Sequence, residues 1–474
     1  MNKNISELTI SELAKQFRCK KLSPVDVTKY MLQRAKQSQQ TINAFNYITE
    51  DRALQEAKSA EERLMSGEQA TLLTGIPYSV KDLIHAKNAP TTLSCEAYKD
   101  RWYDFDATVI KLLTQAGAVL LGKANTSELA LSASADKGGS GAIRNPRNIA
   151  YVGGGSSTGS AAAVAAGMSV FSIGTDQGGS CRIPASCCGV VGMKPTHGLI
   201  SYYGTAESSE LLDHLGILCK SVSDCASVLS VVSGPDKKYW ASYKKAPVDY
   251  AAYANKPIGG LTVAVSPLWA ETGTEDFVLK NYQQSVDTLK ELGAHIVEVD
   301  LSLEELAAYR QCHQEILLAG AYCNHREIFE TVPDLIDPEV YDRLRTGKGI
   351  PAWRYYSNVK IRRKAISDIH DKLKGIDALV TPTLQVVPPK QLQRECTVDG
   401  KTLSVYSKVT HFTWLGNLTG MPAITVPNGY DDNNLPSGFQ IIGKLGEDEK
   451  VIQIAAAHER VWGMPDTVTE LPQS

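Results

Sequence analysis

No block of like charge runs through this sequence beyond the pairs Lys237-Lys238 and Lys244-Lys245, and 49 Lys+Arg against 52 Asp+Glu leave a net charge of -3. A surface built to hold nucleic acid or an anionic membrane is therefore not expected. No apolar stretch reaches the roughly 20 residues that a bilayer requires; the longest, Ala161 to Ile173, is shorter and contains Gly167. Met1 to Ile10 has neither a basic n-region nor an apolar h-region, so no secretory signal is read there and a cytoplasmic protein is expected. Internal repeats and low-complexity tracts are missing too, which removes solenoid and fibrous classes.

Ten cysteines are too thinly and irregularly spread for a disulfide framework. Cys187-Cys188 are adjacent, and Cys312-His313 with Cys323-x-His325 lacks structural-zinc spacing. Core thiols and packed histidines are expected, with no metal and no cofactor.

What is present is ordinary globular material: 474 residues, 43% hydrophobic and 21% charged, enough for a large core. The first seventy residues look helical, with starts at Ser23-Pro24 and Thr49-Glu50-Asp51 and a stop at Gly67. From Gly75 short apolar runs alternate with helical segments: Ile76 to Val80, Ala118 to Leu121, Val170 to Ile173. Leu261 to Val265, a periodic segment from Thr274 to Gly293, and His295 to Val299 read as a βαβ unit. Ala378 to Val380, Ala423 to Val426 and Phe439 to Ile442 return strands to the same sheet. The polar stretch Pro235 to Pro257 reads as an excursion of one domain. The expected fold is α/β: a single large domain whose central mixed, mostly parallel, twisted sheet is covered by helices on both faces, plus an N-terminal helical layer.

The informative region is Gly153-Gly154-Gly155-Ser156-Ser157-Thr158-Gly159-Ser160, a tight loop that runs into the small-residue segment Ala161 to Gly167. A glycine-rich loop before a helix can cradle a phosphate. A Walker loop, however, needs a Lys before its Ser/Thr, and Gly154 and Gly159 lead directly to Ser160, so a nucleotide site is the remote alternative. A second motif, Gly174 to Ala185, carries an apolar strand into a glycine turn that ends at Ser180. Such a turn can present a hydroxyl beside exposed backbone amides, as acyl-bond hydrolysis requires. No Gly-x-Ser-x-Gly elbow surrounds Ser180, and His197 is the one histidine nearby in sequence, so a Ser-His-Asp solution has little support. The other candidate base is Lys81, which a strand would carry into the interior, where lost solvation lowers its pKa. Asp82 beside it would point to the opposite face.

These motifs resemble the amidase signature family of serine hydrolases, as do Asn417 to Ala423 and Pro436 to Gly443. The resemblance implies a signature core over residues 75–234 within a domain of 71–474, residues 1–70 being a helical layer of the same domain. Matched motif by motif, it implies Lys81 as the base, Ser156 as a bridging serine after a cis peptide bond, and Ser180 as the nucleophile, with Ser157 the near competitor of Ser156. The backbone amides of Gln177, Gly178, Gly179 and Ser180 map onto the family's oxyanion hole. Asp176 and Arg182 flank the turn and are expected to pair and brace it. Gln177 and Thr158 depart from the family's commonest residues, and Leu93-Ser94-Cys95 from a frequent x-Gly-Ser; Cys95 as a rival nucleophile lacks an evident base.

The implied activity is hydrolysis of small-molecule amides, aryl amides or carbamates through an acyl-enzyme, by a chain acting alone or as a homodimer, without nucleic acid or membrane. The alternative is the glutaminase subunit of a tRNA-dependent amidotransferase. Against it, the segment Arg343 to Gly349 lacks the Arg-x-Met-x-Gly pattern expected of that role, and Thr410-His411-Phe412-Thr413 lacks the acidic residue expected to bind glutamine's amino group. Cys95, Tyr203, Trp353 and Trp414 are the expected substrate-pocket residues.

Overall fold

The short apolar runs from Ile76 onward become strands, whereas the longer stretch Ala161 to Ile173 begins in the helix Thr158–Ala165 and ends in a strand. The computed structural model describes residues 4–398 and 400–472. In chain order the strands are β1 (Phe45–Ile48), β2 (Pro77–Lys81), β3 (Val119–Ala124), β4 (Phe171–Asp176), β5 (Val191–Lys194), β6 (His214–Cys219), β7 (Thr262–Val265), β8 (His295–Glu298), β9 (Ala378–Pro382), β10 (Glu395–Val398), β11 (Lys401–Ser404), β12 (Ala423–Tyr430) and β13 (Pro436–Gly443). β10 and β11 pair with each other; the other eleven form one sheet in the order β1-β3-β2-β4-β6-β5-β12-β13-β9-β7-β8.

Parallel pairs occupy two blocks, β3-β2-β4 and β9-β7-β8. The run from β4 through β6, β5, β12 and β13 to β9 is antiparallel, as is β1 on β3. The sheet is mixed as expected, but parallel pairs are the smaller share. Helical crossovers feed the flanks, whereas the middle contains hairpins such as β12-β13, whose short connection permits only antiparallel pairing.

Alternation along the strands supplies two apolar faces. Val80, Ile173, Ile217, Ile424 and Ile441 join one core with the helices Val222–Val232, Asp276–Glu291 and Asp448–Trp462. On the other face Leu218 meets Ala161, Cys181 and Ala185, while Leu379, Ala423 and Ile442 meet the helices Leu303–Thr331 and Ala352–Lys372. No helix among the described residues is long and apolar enough to cross a membrane.

The N-terminal helices begin and end where the sequence placed them: Ser23 Oγ accepts from the Val25 amide at 3.0 Å with Pro24 in the first turn, and Gly67 closes the helix Glu50–Ser66 at φ +77°. The segment is not purely helical, however, because β1 interrupts it and forms one edge of the sheet. Four residues with a polar Asn46 among them carry too little alternation to announce a strand.

The short helix Thr158–Ala165 is buried along its whole length. A Cβ on Gly159 would lie 2.4 Å from the Ala44 carbonyl oxygen and 2.5 Å from that of Asn125, so only glycine lets this helix approach the backbone beside it. Parallel β2 and β4 lie side by side, which brings Lys81 and Asp176 out at the same, carboxyl end of the sheet. Sites gather at such ends in α/β folds.

Next to that end, Asp82 faces away from Lys81. It meets the buried Lys123 of β3 at 2.9 Å and accepts from Thr92 and Asn46. Replacing Asp82 by Ala would leave the Lys123 ammonium buried without its countercharge. Asp82→Ala is therefore expected to cost about 3–5 kcal/mol in urea-induced unfolding, and a loss below about 1 kcal/mol would show that the pair does not anchor β2 to β3.

Candidate active site

Lys81 ends β2 with its side chain fully buried. Its Nζ lies 2.6 Å from Ser156 Oγ and 2.7 Å from Thr175 Oγ1. Burial pulls its pKa from 10.5 down to about 7, against the opposing pull of Cys181, Asp176 and Asp213. Asp82, its neighbour in sequence, is engaged with Lys123 on the other side.

The Gly155–Ser156 peptide bond is cis. The Ser156 carbonyl is held by the Thr126 hydroxyl at 2.8 Å and the Ser127 amide at 3.2 Å, which leaves its hydroxyl to Lys81. Ser157 is occupied differently: its hydroxyl donates to the Thr175 carbonyl at 3.0 Å and accepts from the Thr175 amide at 3.3 Å. Between the two competing serines it is thus Ser156 that touches the lysine, while Ser157 ties the loop to β4.

Ser180 sits in the turn between β4 and the helix Arg182–Cys188, where its carbonyl accepts from the Ser157 amide at 3.0 Å. Together with Gly155, Gln177 and Gly178 it lines a cleft. The turn is organised by Asp176, whose carboxylate takes the Gly179 amide at 2.8 Å, the Cys181 amide at 3.0 Å, and Arg182 through Nε at 3.1 Å and Nη2 at 2.9 Å. Burial alone would raise this carboxyl, but the Arg182 charge and the converging donors hold it well below the ordinary aspartate range. Arg182 continues to Gln440 Oε1 and Asn417 Oδ1, both at 2.7 Å. Asp176 and Arg182 therefore pair as expected.

Of the four amides expected to form an oxyanion hole, one is already engaged. Gly179 donates to Asp176, whereas no acceptor among the described residues takes the amides of Gln177, Gly178 and Ser180. The turn's carbonyls are pinned from outside: Gln177 O accepts from His313 Nε2 at 2.8 Å and Gly178 O from Thr413 Oγ1 at 2.6 Å. In a trans peptide the N–H points opposite to the C=O, so pinning Gln177 O aims the Gly178 amide away from His313. Backbone donors fixed in this way beside a hydroxyl can stabilise a developing oxyanion.

Of the four expected pocket residues only Trp414 lines the cleft, its Nε1 donating to His411 O at 2.9 Å. Trp353 stands 70% exposed in the first turn of its helix, and Tyr203 packs against Phe105 at the surface. Cys95 is buried beneath Leu335 O and near Glu128, its thiol pushed up to about 12 by burial, which fits neither a pocket wall nor a nucleophile. His197 lies against His214, outside the residues that line the cleft, and burial lowers it to about 4. Among the described residues no three His, Cys, Asp or Glu gather as a metal site. Sequence analysis missed Arg310, His313, Arg343 and Tyr406 in the cleft. Its only pointers were the segments Arg343 to Gly349 and Thr410 to Thr413, read there for what they lacked.

A family model described as Amidase matches residues 26–452. The chain is 35% identical over 477 residues to a glutamyl-tRNA(Gln) amidotransferase subunit of Thermoanaerobacter pseudethanolicus, covering 96% of each chain. Among solved structures, the corresponding glutamyl-tRNA(Gln) amidotransferase subunit of Thermotoga maritima is 30% identical with a TM-score of 0.79, covering 100% of this chain and 99% of that one. A chain from a vestigial protein complex described as revealing the evolutionary origins of an s-triazine catabolic enzyme is 26% identical with a TM-score of 0.92, covering 97% and 100%.

The division of labour between the two serines is testable without a substrate. Ser157→Ala removes a hydroxyl that serves both the carbonyl and the amide of Thr175, and should cost about 1–3 kcal/mol of folding stability. A denaturation midpoint equal to that of the unmodified chain would remove Ser157 from the structural role.

Proposed function

The chain belongs to the Amidase family, and on that premise we propose that it cleaves the C–N bond of an amide by way of an acyl-enzyme on Ser180. The observation that carries this is the Lys81–Ser156 contact of 2.6 Å, made by a buried amine whose pKa has fallen to about 7. Neutral Lys81 takes the Ser156 proton while Ser156 takes that of Ser180, whose Oγ forms a bond to the substrate carbonyl carbon. The carbonyl oxygen, now negative, is received by the unclaimed amides of the turn. The relay returns the proton to the departing nitrogen as the C–N bond breaks, and water repeats the sequence to release the carboxylic acid. The Thr175 hydroxyl accepts from Lys81 and so helps to turn the amine's lone pair towards Ser156.

Two substrate readings differ. Sequence similarity favours the glutaminase component of an amidotransferase, since the 35% identical relative belongs to such an enzyme and the match spans 96% of its length. The cleft favours a stand-alone hydrolase of small-molecule amides, because no Asp or Glu is among the residues lining it; Glu128, Asp337, Glu339 and Asp342 line the adjoining cavity, which shares Arg343 and Tyr406 with it. The purified chain should then release amine or ammonia from simple amides unaided. Ammonia release from glutamine only after the other amidotransferase subunits are added would establish the glutaminase role instead.

A fluorophosphonate should label Ser180, and Lys81→Ala should lower kcat by at least about 100-fold. Because the neutral amine is the active form, activity rises with pH through the lysine's folded value near 7 and then levels off. Lys81→Arg should not restore it, since guanidinium keeps its proton. An ascending limb near 10, or labelling at another serine with loss of activity, would refute the assignment.

A further inference from the structure

Resting on Ser180 as the nucleophile, we propose that the substrate is a secondary amide with a short acyl group and a bulky, uncharged amine, whose substituent lies in a second cavity beside the cleft. The two spaces adjoin, since Leu131, Ser132, Ala133, Arg343 and Tyr406 line both. They differ in size: the cleft at Ser180 encloses about 40 Å³ and the second cavity about 340 Å³. One water takes roughly 10–15 Å³ on this measure, so the cleft holds a group of about three heavy atoms, as in an acetyl, whereas the cavity holds a substituted ring.

Which half of the substrate enters which space follows from the proton relay. Ser156 delivers the proton to the departing nitrogen, so that nitrogen faces Ser156. Gly155, the residue before it, packs directly on the shared wall: a Cβ there would lie 2.3 Å from the Ser132 carbonyl oxygen and 2.9 Å from the Ala133 carbonyl carbon. The amine's substituent therefore continues past Ser132 and Ala133 into the larger cavity. His313, Leu317 and Trp414, which line the cleft but not the cavity, are left to the acyl group. As the acyl carbon bonds to Ser180 Oγ and the C–N bond breaks, the nitrogen keeps the bonding pair, gains the relayed proton and departs as a neutral amine.

The cavity walls fix the chemistry of that amine. Val405 and Val409, both buried, pack with Ala133 and Cys187 in one apolar cluster, and Leu131, Val152 and Val340 extend the lining. The charged residues around it are already engaged. Asp136 meets Arg394 at 2.8 Å, Glu339 meets Lys137 at 2.7 Å and Asp342 meets Arg345 at 3.0 Å. Asp337 caps the helix Pro338–Lys348, and Glu128 accepts the Asp337 and Gly139 amides at 2.7 and 2.8 Å while burial pushes its pKa up. Arg343 donates to the Tyr406 hydroxyl at 2.9 Å. A charged amine would have to displace these contacts, whereas an apolar one gains by burial against the valines.

N-benzylacetamide and N-methyl-2-phenylacetamide are isomers that carry the same ring on opposite sides of the amide. The first should exceed the second in kcat/KM by at least about tenfold. N-pentylacetamide should likewise exceed N-(4-aminobutyl)acetamide, its cationic isostere. Val405→Phe, which fills the cavity, should bring the ratio between the isomers close to one, and Val409→Phe repeats the test should the first variant not fold. Equal or inverted ratios in the unmodified chain, an unchanged ratio in a folded variant, or no hydrolysis of either isomer by a chain whose Ser180 reacts with fluorophosphonate would overturn the amine seat while leaving Ser180 as nucleophile. Failure of Ser180 to react with the probe at all would overturn the site on which this inference rests.

Discussion

Five hydrogen bonds converge on the carboxylate of Asp176, and the geometry of the reactive turn depends on them. Two come from amides of the turn itself, two from Arg182 and one from Asn417. An unpaired carboxylate could not remain ionised at zero exposure; with Arg182 equally buried, the pair is sustained by mutual attraction and by the amides that complete its shell. It takes up the Gly179 amide, one of the four expected to form an oxyanion hole. Its return is a turn whose remaining amides are held in place before any substrate arrives.

Lys81 and Lys123 isolate what a countercharge does. Both are fully buried, on neighbouring parallel strands, and burial lowers both pKa values. Lys123 has the Asp82 carboxylate at 2.9 Å, whereas Lys81 meets hydroxyls. The chain thus builds a structural cation and a candidate base from the same residue type, and the difference is which face of β2 carries the aspartate.

Much of this was legible from residues alone. The apolar runs became strands because a short apolar run bounded by turns suits a strand buried on both faces, and helix ends followed Ser23-Pro24 and Gly67. Lys81 and Ser180 were singled out because a strand delivers the one and a glycine turn ends at the other, whereas Ser156 was preferred to Ser157 on the family resemblance alone. What stayed hidden depends on distant chain. The loss of the Gly179 amide to Asp176 is a matter of turn geometry that composition does not carry. Arg310 and Arg343 reach the cleft from helices more than 120 residues beyond Ser180, and no local pattern marks a helical arginine as one that faces a cleft. Trp353 shows the converse error: an aromatic residue expected in the pocket stands at the surface, and its type alone does not say which way its helix faces.

The clasp on the Gln177 and Gly178 carbonyls has a consequence for how the protein comes into being. His313 and Thr413, which hold those oxygens, are synthesised long after Ser180, as is Asn417 on the Asp176 hub. A nascent chain that has just emerged through residue 234 already contains Lys81, Ser156, Ser180 and the Asp176–Arg182 pair, yet it lacks the side chains that hold the Gln177 and Gly178 carbonyls. A ribosome that stalls or a protease that cuts ahead of residue 313 therefore leaves a fragment with Lys81, Ser156 and Ser180 but without the clasp on the two carbonyls beside them.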